Sequence, residues 1–133
     1  MHIDAYRESW NDLDQEERKT RLRIRKLNDL LRCEDDHGGA GDLVVCMGDL
    51  AACPLDVQQQ VFDAARSFTA FTEDNDPHGE HDCASFELDV GDGPTTFMFK
   101  IDYYDLDLEM GSEDPSDPKT TRRVLTLMFA HDY

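Results

Sequence analysis

With 133 residues, 39% hydrophobic side chains and 30 acidic against 13 basic groups, the chain has material for one domain with a real core and carries a net charge of −17. This composition excludes wholesale disorder, and a field of that sign opposes direct binding to DNA or RNA. The longest apolar run, at 43–47, is far too short to span a bilayer, and residues 1–10 lack the apolar segment of a secretory signal, so the expected location is the cytoplasm.

The charge is uneven. Residues 1–33 hold eight Lys/Arg and seven Asp/Glu, a net of +1, whereas residues 34–133 hold five and 23, a net of −18. The acidic excess thus lies wholly downstream of the first helical pattern, where it would steer association toward basic surfaces. Cys33, Cys46, Cys53 and Cys83 form no Cys-x-x-Cys pair and read as reduced thiols, with Cys46 in the core.

Residues 1–11 read as an N-terminal arm of a single 1–133 domain. Leu22, Ile24, Leu27, Leu30 and Leu31 then predict a helix over 12–32, with Asp12, Asp14, Glu16 and Glu17 at its positive end and Arg25, Lys26 and Arg32 in its second half. The basic cluster from Arg18 to Lys26 reads as a solvated face with pairs such as Glu17–Arg21 rather than as a nucleic-acid patch. Gly38, Gly39 and Gly41 break the pattern; Cys33 and His37 are spaced i, i+4, but two ligands across a helix end do not make a closed zinc site.

A short strand follows at 43–47, and Pro54 opens a second helix whose stripe is Leu55, Val61, Phe62, Ala65 and Phe68. Phe86, Leu88 and Val90 alternate with Glu87 and Asp89, Gly91-Asp92-Gly93-Pro94 is a turn, and 95–104 is the return strand of a hairpin. Phe97, Phe99, Ile101 and Tyr103 share its core face; Met98, Lys100, Asp102 and Tyr104 share the wetter one. Residues 105–110 alternate strictly and read as a strand extension or an irregular edge, 111–118 as a polar turn, and 124–130 as the closing strand. The order α-β-α-β-β-β predicts an α+β fold, a small mixed or antiparallel sheet of about four strands packed against two helices.

Between the second helix and the hairpin stands Asp74-Asn-Asp-Pro-His-Gly-Glu-His-Asp82, the densest cluster of ligating and titratable groups in the chain. Asp74, Asp76, His78 and Gly79 match the opening of an EF-hand loop, but Ser85 stands where the bidentate Glu is needed. Asp74, Asp76, Glu80 and Asp82 are the hard-cation alternative, and His78, His81 and Cys83 a zinc alternative without diagnostic spacing. No cofactor is predicted, although the carboxylates are compatible with a divalent cation. Glu80, His81 and Asp82, with Asp102 or Asp105 from the next strand, are the acid–base alternative. The structural reading is an Asx-type loop in which Asp and Asn bond the backbone, Pro77 and Gly79 set torsions, and Glu80, His81 and Asp82 pin it to the strand at 100–105.

Several longer motifs carry a resemblance: Phe68-Thr-Ala-Phe71, the 74–82 cluster, Lys100-Ile-Asp-Tyr-Tyr-Asp105, Gly111-Ser-Glu-Asp-Pro115, Asp117-Pro118, Arg123-Val-Leu-Thr126 and, more weakly, Ile24-Arg-Lys-Leu-Asn-Asp29. From about residue 22 to the end, the chain resembles a family of small proteobacterial proteins known only as a domain of unknown function. The resemblance implies one domain and a bacterial, plasmid or phage setting, and it carries no activity. His78 and Cys83 stand where that family usually has Tyr and Phe, which argues against either as an essential ligand.

In an extended strand, residues i and i+2 share a face about 6.7 Å apart. Glu87 with Asp89, and Asp105 with Asp107 and Glu109, would then form carboxylate rows like the phosphates of a nucleic-acid strand. With Tyr104, Glu113 and Asp114 they are the candidate partner-binding residues. The reading favoured here is a non-enzymatic acidic interaction protein that engages a basic, nucleic-acid-binding partner, as a nucleic-acid mimic inhibiting a bacterial defence or regulatory complex. The alternatives are a small carboxylate/His enzyme, such as a metal-assisted hydrolase, and an accessory subunit of a bacterial complex. Neither direct nucleic-acid contact nor membrane contact is expected.

Overall fold

A computed structural model describes residues 9–37 and 41–133. Gly38, Gly39 and most of the proposed N-terminal arm lie outside the described residues. Helix α1 spans Gln15–Glu34. It starts three residues later than its charge pattern predicts because Asp14 is the cap: its carboxylate accepts the Glu17 N–H at 2.8 Å, while Glu17 Oε1 accepts the Asp14 N–H at 3.1 Å. Glu17 therefore closes a capping box, and Arg21 turns elsewhere. The helix ends on left-handed Asp35 (φ 53°), so Cys33 and His37 do not share a helical face.

Strand β1 (Leu43–Cys46) leads through a short 3₁₀ turn, Gly48–Ala52, to helix α2 (Leu55–Ser67). Strands β2 (Cys83–Asp89) and β3 (Pro94–Tyr104) form the predicted hairpin, and β4 (Arg122–Phe129) closes the sheet. The order is β1-β4-β3-β2, mixed because β1 runs parallel to β4 while the other pairs are antiparallel. The protein is thus an α+β fold with two helices and a four-stranded sheet. Phe97, Phe99, Ile101, Leu125 and Leu127 present one sheet face to Leu31 of α1 and to Val61 and Ala65 of α2. Truncating either central Phe would cost about 3–5 kcal/mol. Cys46 packs at the margin of this core, and all four cysteines are free thiols.

Residues 105–110 do not extend β3. The Asp105 N–H bonds the Met110 carbonyl at 2.8 Å, Asp105 Oδ1 accepts the Glu109 N–H at 3.0 Å, and Leu108 is left-handed at φ 59°. The Asp105 side chain offers the backbone a local partner and folds the alternating sequence into a tight loop. The topology also sorts the loops between two ends of the sheet. One end holds the starts of β1, β2 and β4 and the finish of β3, flanked by 72–82 and 105–121. The other carries the 89–94 turn, Gly48–Ala52 and the C-terminal 3₁₀ turn Ala130–Asp132.

Candidate functional site

The 72–82 loop is built from its own side chains. Asn75 Oδ1 accepts the Thr72 N–H at 2.7 Å and Asn75 Nδ2 donates to the Ala70 carbonyl at 3.0 Å. Buried Asp76 accepts the N–H groups of Glu80 (3.2 Å) and His81 (3.3 Å). Gly79 is required at φ 70°, since a Cβ there would stand 2.8 Å from the Trp10 ring. His81 is also left-handed at φ 55°, a conformation that costs a non-glycine residue free energy and is held here by the two Asp76 bonds.

The basic cluster of α1 clamps this loop. Arg25 Nε donates to the Gly79 carbonyl at 2.6 Å, and Arg21 Nη1 to the His78 carbonyl at 3.0 Å. Arg21 Nε also meets the buried Glu80 carboxylate at 3.2 Å. Trp10 donates its backbone N–H to the Pro77 carbonyl at 2.9 Å, accepts from Arg18 on its own carbonyl, and has the guanidinium carbons of Arg18 and Arg25 at 5.5 and 5.3 Å from its ring. The expected solvated face is instead, for these three arginines, an internal contact.

Beneath the clamp lies a buried polar network. The Tyr103 hydroxyl donates to Glu80 Oε1 at 2.7 Å and receives Asn28 Nδ2 at 2.7 Å; Asn28 Nδ2 also reaches the Glu80 carbonyl at 3.0 Å. Arg123 Nε donates to Asn28 Oδ1 at 2.8 Å, its guanidinium stacks 5.1 Å over the Tyr103 ring, and it also donates to the Pro115 carbonyl. The Arg123 N–H bonds Asp42 Oδ1 at 2.8 Å. Burial first, then the Glu80 charge, holds the Tyr103 phenol well above its usual pKa, so it remains a donor. Burial lowers the pKa of Arg123 and raises that of Asp42.

His81 does not bond Asp82 or Asp102 as a strand-pinning residue would. Its Nδ1 lies 3.0 Å from Asp29 of α1, its Nε2 3.9 Å from Asp76, and its ring stacks on Phe71 at 4.0 Å. Asp82 pins the strand through its backbone, accepting the Ile101 N–H at 2.7 Å. Its charge, after burial, helps push the neighbouring Cys83 thiol up to about 11. Glu80, His81 and Asp82 are thus adjacent in sequence, but Glu80 and His81 face different partners. Trp10, Arg25, Phe71, Asp74, Asp76 and His81 are among the residues that border an open cleft of about 620 Å³ above the loop. Among the described residues, Asp74, Asp76, Glu80 and Asp82 do not bring three ligand atoms together; the set that converges is Asp49, His131 and Asp132 at the opposite end of the sheet.

The loop end of the sheet is an acidic pole. Asp35, Asp36, Glu73, Asp74, Asp107, Glu109, Glu113 and Asp114 are exposed there. Asp114 accepts the Ser116 N–H at 3.1 Å and Asp117 the Lys119 N–H at 2.9 Å, fixing the loop that carries Glu113. Tyr104 is half-buried on β3, paired across the sheet with Arg122. Glu87 and Asp89 are exposed at i, i+2 on the edge strand β2, as expected, but near the other end. Asp89 pairs with Pro94, and ten residue steps along β3 from there to Tyr104 are about 33 Å at strand rise. The second predicted row, Asp105, Asp107 and Glu109, is a loop and has no strand spacing. Sequence reasoning missed Asn28, Asp29, Asp42 and Trp10 as members of this site. Arg123, Asn28 and Asp29 were visible only as parts of the motifs carrying the resemblance.

Fold and site together define a two-layer α+β protein with an arginine-clamped loop beneath an acidic pole, and no described helix is long and apolar enough to cross a membrane. The chain belongs to the DUF3768 family, described as a protein of unknown function, whose model matches residues 47–132. That segment contains the loop, Tyr103 and Arg123; the α1 clamp lies ahead of it. No match was found among curated proteins or solved structures.

Proposed function

We propose that the protein is a non-enzymatic interaction module that docks its acidic pole on the basic surface of a nucleic-acid-handling protein, competing there with nucleic acid. The observation that carries this reading is the direction of the charges. Of the eight described arginines, seven, including Arg32, Arg66 and Arg122, donate to carbonyl oxygens of this chain, so their donors are engaged within the molecule. The carboxylates of the pole face solvent, with Lys119 exposed among them. Such a surface speeds encounter with a cationic groove and disfavours a nucleic acid. Glu80 and His81, the residues a carboxylate/His enzyme would need, serve the loop and the network beneath it.

The test is capture from a lysate of the native host on the immobilised protein, beside a variant carrying D105N, D107N, E109Q, E113Q and D114N. The reading expects a nucleic-acid-binding protein to be retained by the wild type, lost with the variant and released by added DNA or RNA. Retention that survives the variant and ignores nucleic acid would contradict it.

A further inference from the structure

At the end of the sheet away from the acidic pole, two segments meet that are more than 80 residues apart in sequence: the turn after β1 and the C-terminal turn after β4. Asp49 Oδ2 lies 2.8 Å from His131 Nε2, and Asp132 Oδ2 lies 3.6 Å from the same nitrogen. One ligand atom from each of the three residues falls within 4.8 Å of the others, the compactness needed for atoms that share one ion. We propose that Asp49, His131 and Asp132 form a binding site for a divalent transition-metal ion, zinc being the reference case. It is separate from the carboxylates of the 74–82 loop and independent of the acidic pole.

Several features hold the three groups in place before any ion arrives. The His131 ring stacks on Phe129, centroids 5.1 Å apart and planes 18° apart, which directs Nε2 toward the carboxylates. Asp132 Oδ2 accepts the Asp49 N–H at 2.9 Å, tying the two turns to each other. Gly48 leaves the room this requires: at φ 61°, a Cβ would lie 2.5 Å from Asp132 Oδ2. An imidazole nitrogen with two carboxylate oxygens is a donor set for zinc, nickel or cobalt, whereas magnesium and calcium favour all-oxygen cages. The side chains of Asp49 and His131 are 71% and 62% exposed and that of Asp132 23%, so an ion held by these three ligands keeps positions open to water or to a group from another molecule.

The probe is the metal alone. The EDTA-treated full chain is titrated calorimetrically with zinc, and with cobalt(II) followed by absorption. The wild type is expected to take up one equivalent, with a cobalt spectrum lacking a thiolate charge-transfer band. His131→Ala and Asp49→Asn should each weaken zinc binding about tenfold or more, while Asp74→Asn leaves it unchanged. Both ligand positions are exposed, and circular dichroism is the check that each variant is folded. Asp132→Asn is not used, since that carboxylate also holds the turn. Binding that persists in His131→Ala, a thiolate band that assigns the ion to the cysteines, or several weak equivalents lost equally in every acidic variant would each overturn the proposal.

Discussion

Replacing Glu80 by alanine should cost the fold about 3–4 kcal/mol. The Glu80 side chain is 1% exposed and Arg21, its partner at 3.2 Å, 12%. Removing one member of a buried pair typically costs about 3–5 kcal/mol, because the remaining charge loses a close counter-ion. Arg21 keeps its bond to the His78 carbonyl and some contact with water, which favours the lower half of that range. The Tyr103 hydroxyl loses its bond to Glu80 Oε1 and keeps the one from Asn28. At roughly 4 °C per kcal/mol for a chain of this length, Tm should fall by about 12–16 °C. Urea unfolding followed by circular dichroism gives the global value, and the single tryptophan, Trp10, which packs on Gly79, reports the loop by fluorescence. Tyr103→Phe alone should cost about 1–2 kcal/mol, and the double variant should show a coupling of about 1 kcal/mol between the two sites. A loss below about 0.5 kcal/mol in Glu80→Ala, the range of an ordinary surface change, would refute the idea that the network beneath the clamp supports the fold.

Two further predictions concern titration. His37 contacts the Asp42 carbonyl and, secondarily, the Asp35 carboxylate, and its pKa is raised above 6.5. Its stabilisation is therefore complete below the unfolded value and fades as pH rises through the folded one. The Tm gap between wild type and His37→Gln should be widest below about pH 6 and shrink toward about pH 9; a gap that grows with pH would contradict this. Cys83, its thiol pushed up to about 11 by burial and by Asp82 and Asp102, has roughly one thiolate in a thousand at about pH 8. Peptide mass spectrometry after iodoacetamide treatment should find it unmodified in the native protein and alkylated in urea; equal labelling in both states would disprove the burial.

Periodicity made most of the fold legible. Phe97, Phe99, Ile101 and Tyr103 alternate with more polar residues and do face the helices, and Gly91-Asp92-Gly93-Pro94 turns the hairpin as its composition predicts. The same rule misleads at 105–110, where alternation alone cannot reveal that Asp105 caps its own loop. The Asx character of 72–76 was readable because its bonds are local. The clamp was not: Arg21–Glu80, Asn28–Tyr103 and His81–Asp29 link residues more than 50 positions apart, and such pairings follow from how α1 crosses the sheet rather than from any spacing. An arginine on a helix carries no local mark that separates a solvated side chain from one donating to a distant carbonyl.

The most direct test of the central claim uses the captured partner in purified form and measures its affinity for this protein against rising salt and added duplex. Association through the acidic pole should weaken steeply above about 0.15 M salt, where the Debye length is about 8 Å. Duplex DNA or RNA should displace the protein competitively, and the D105N, D107N, E109Q, E113Q, D114N variant should bind weakly at every salt concentration. Affinity that is flat with salt, unmoved by nucleic acid and retained by the variant would contradict the account.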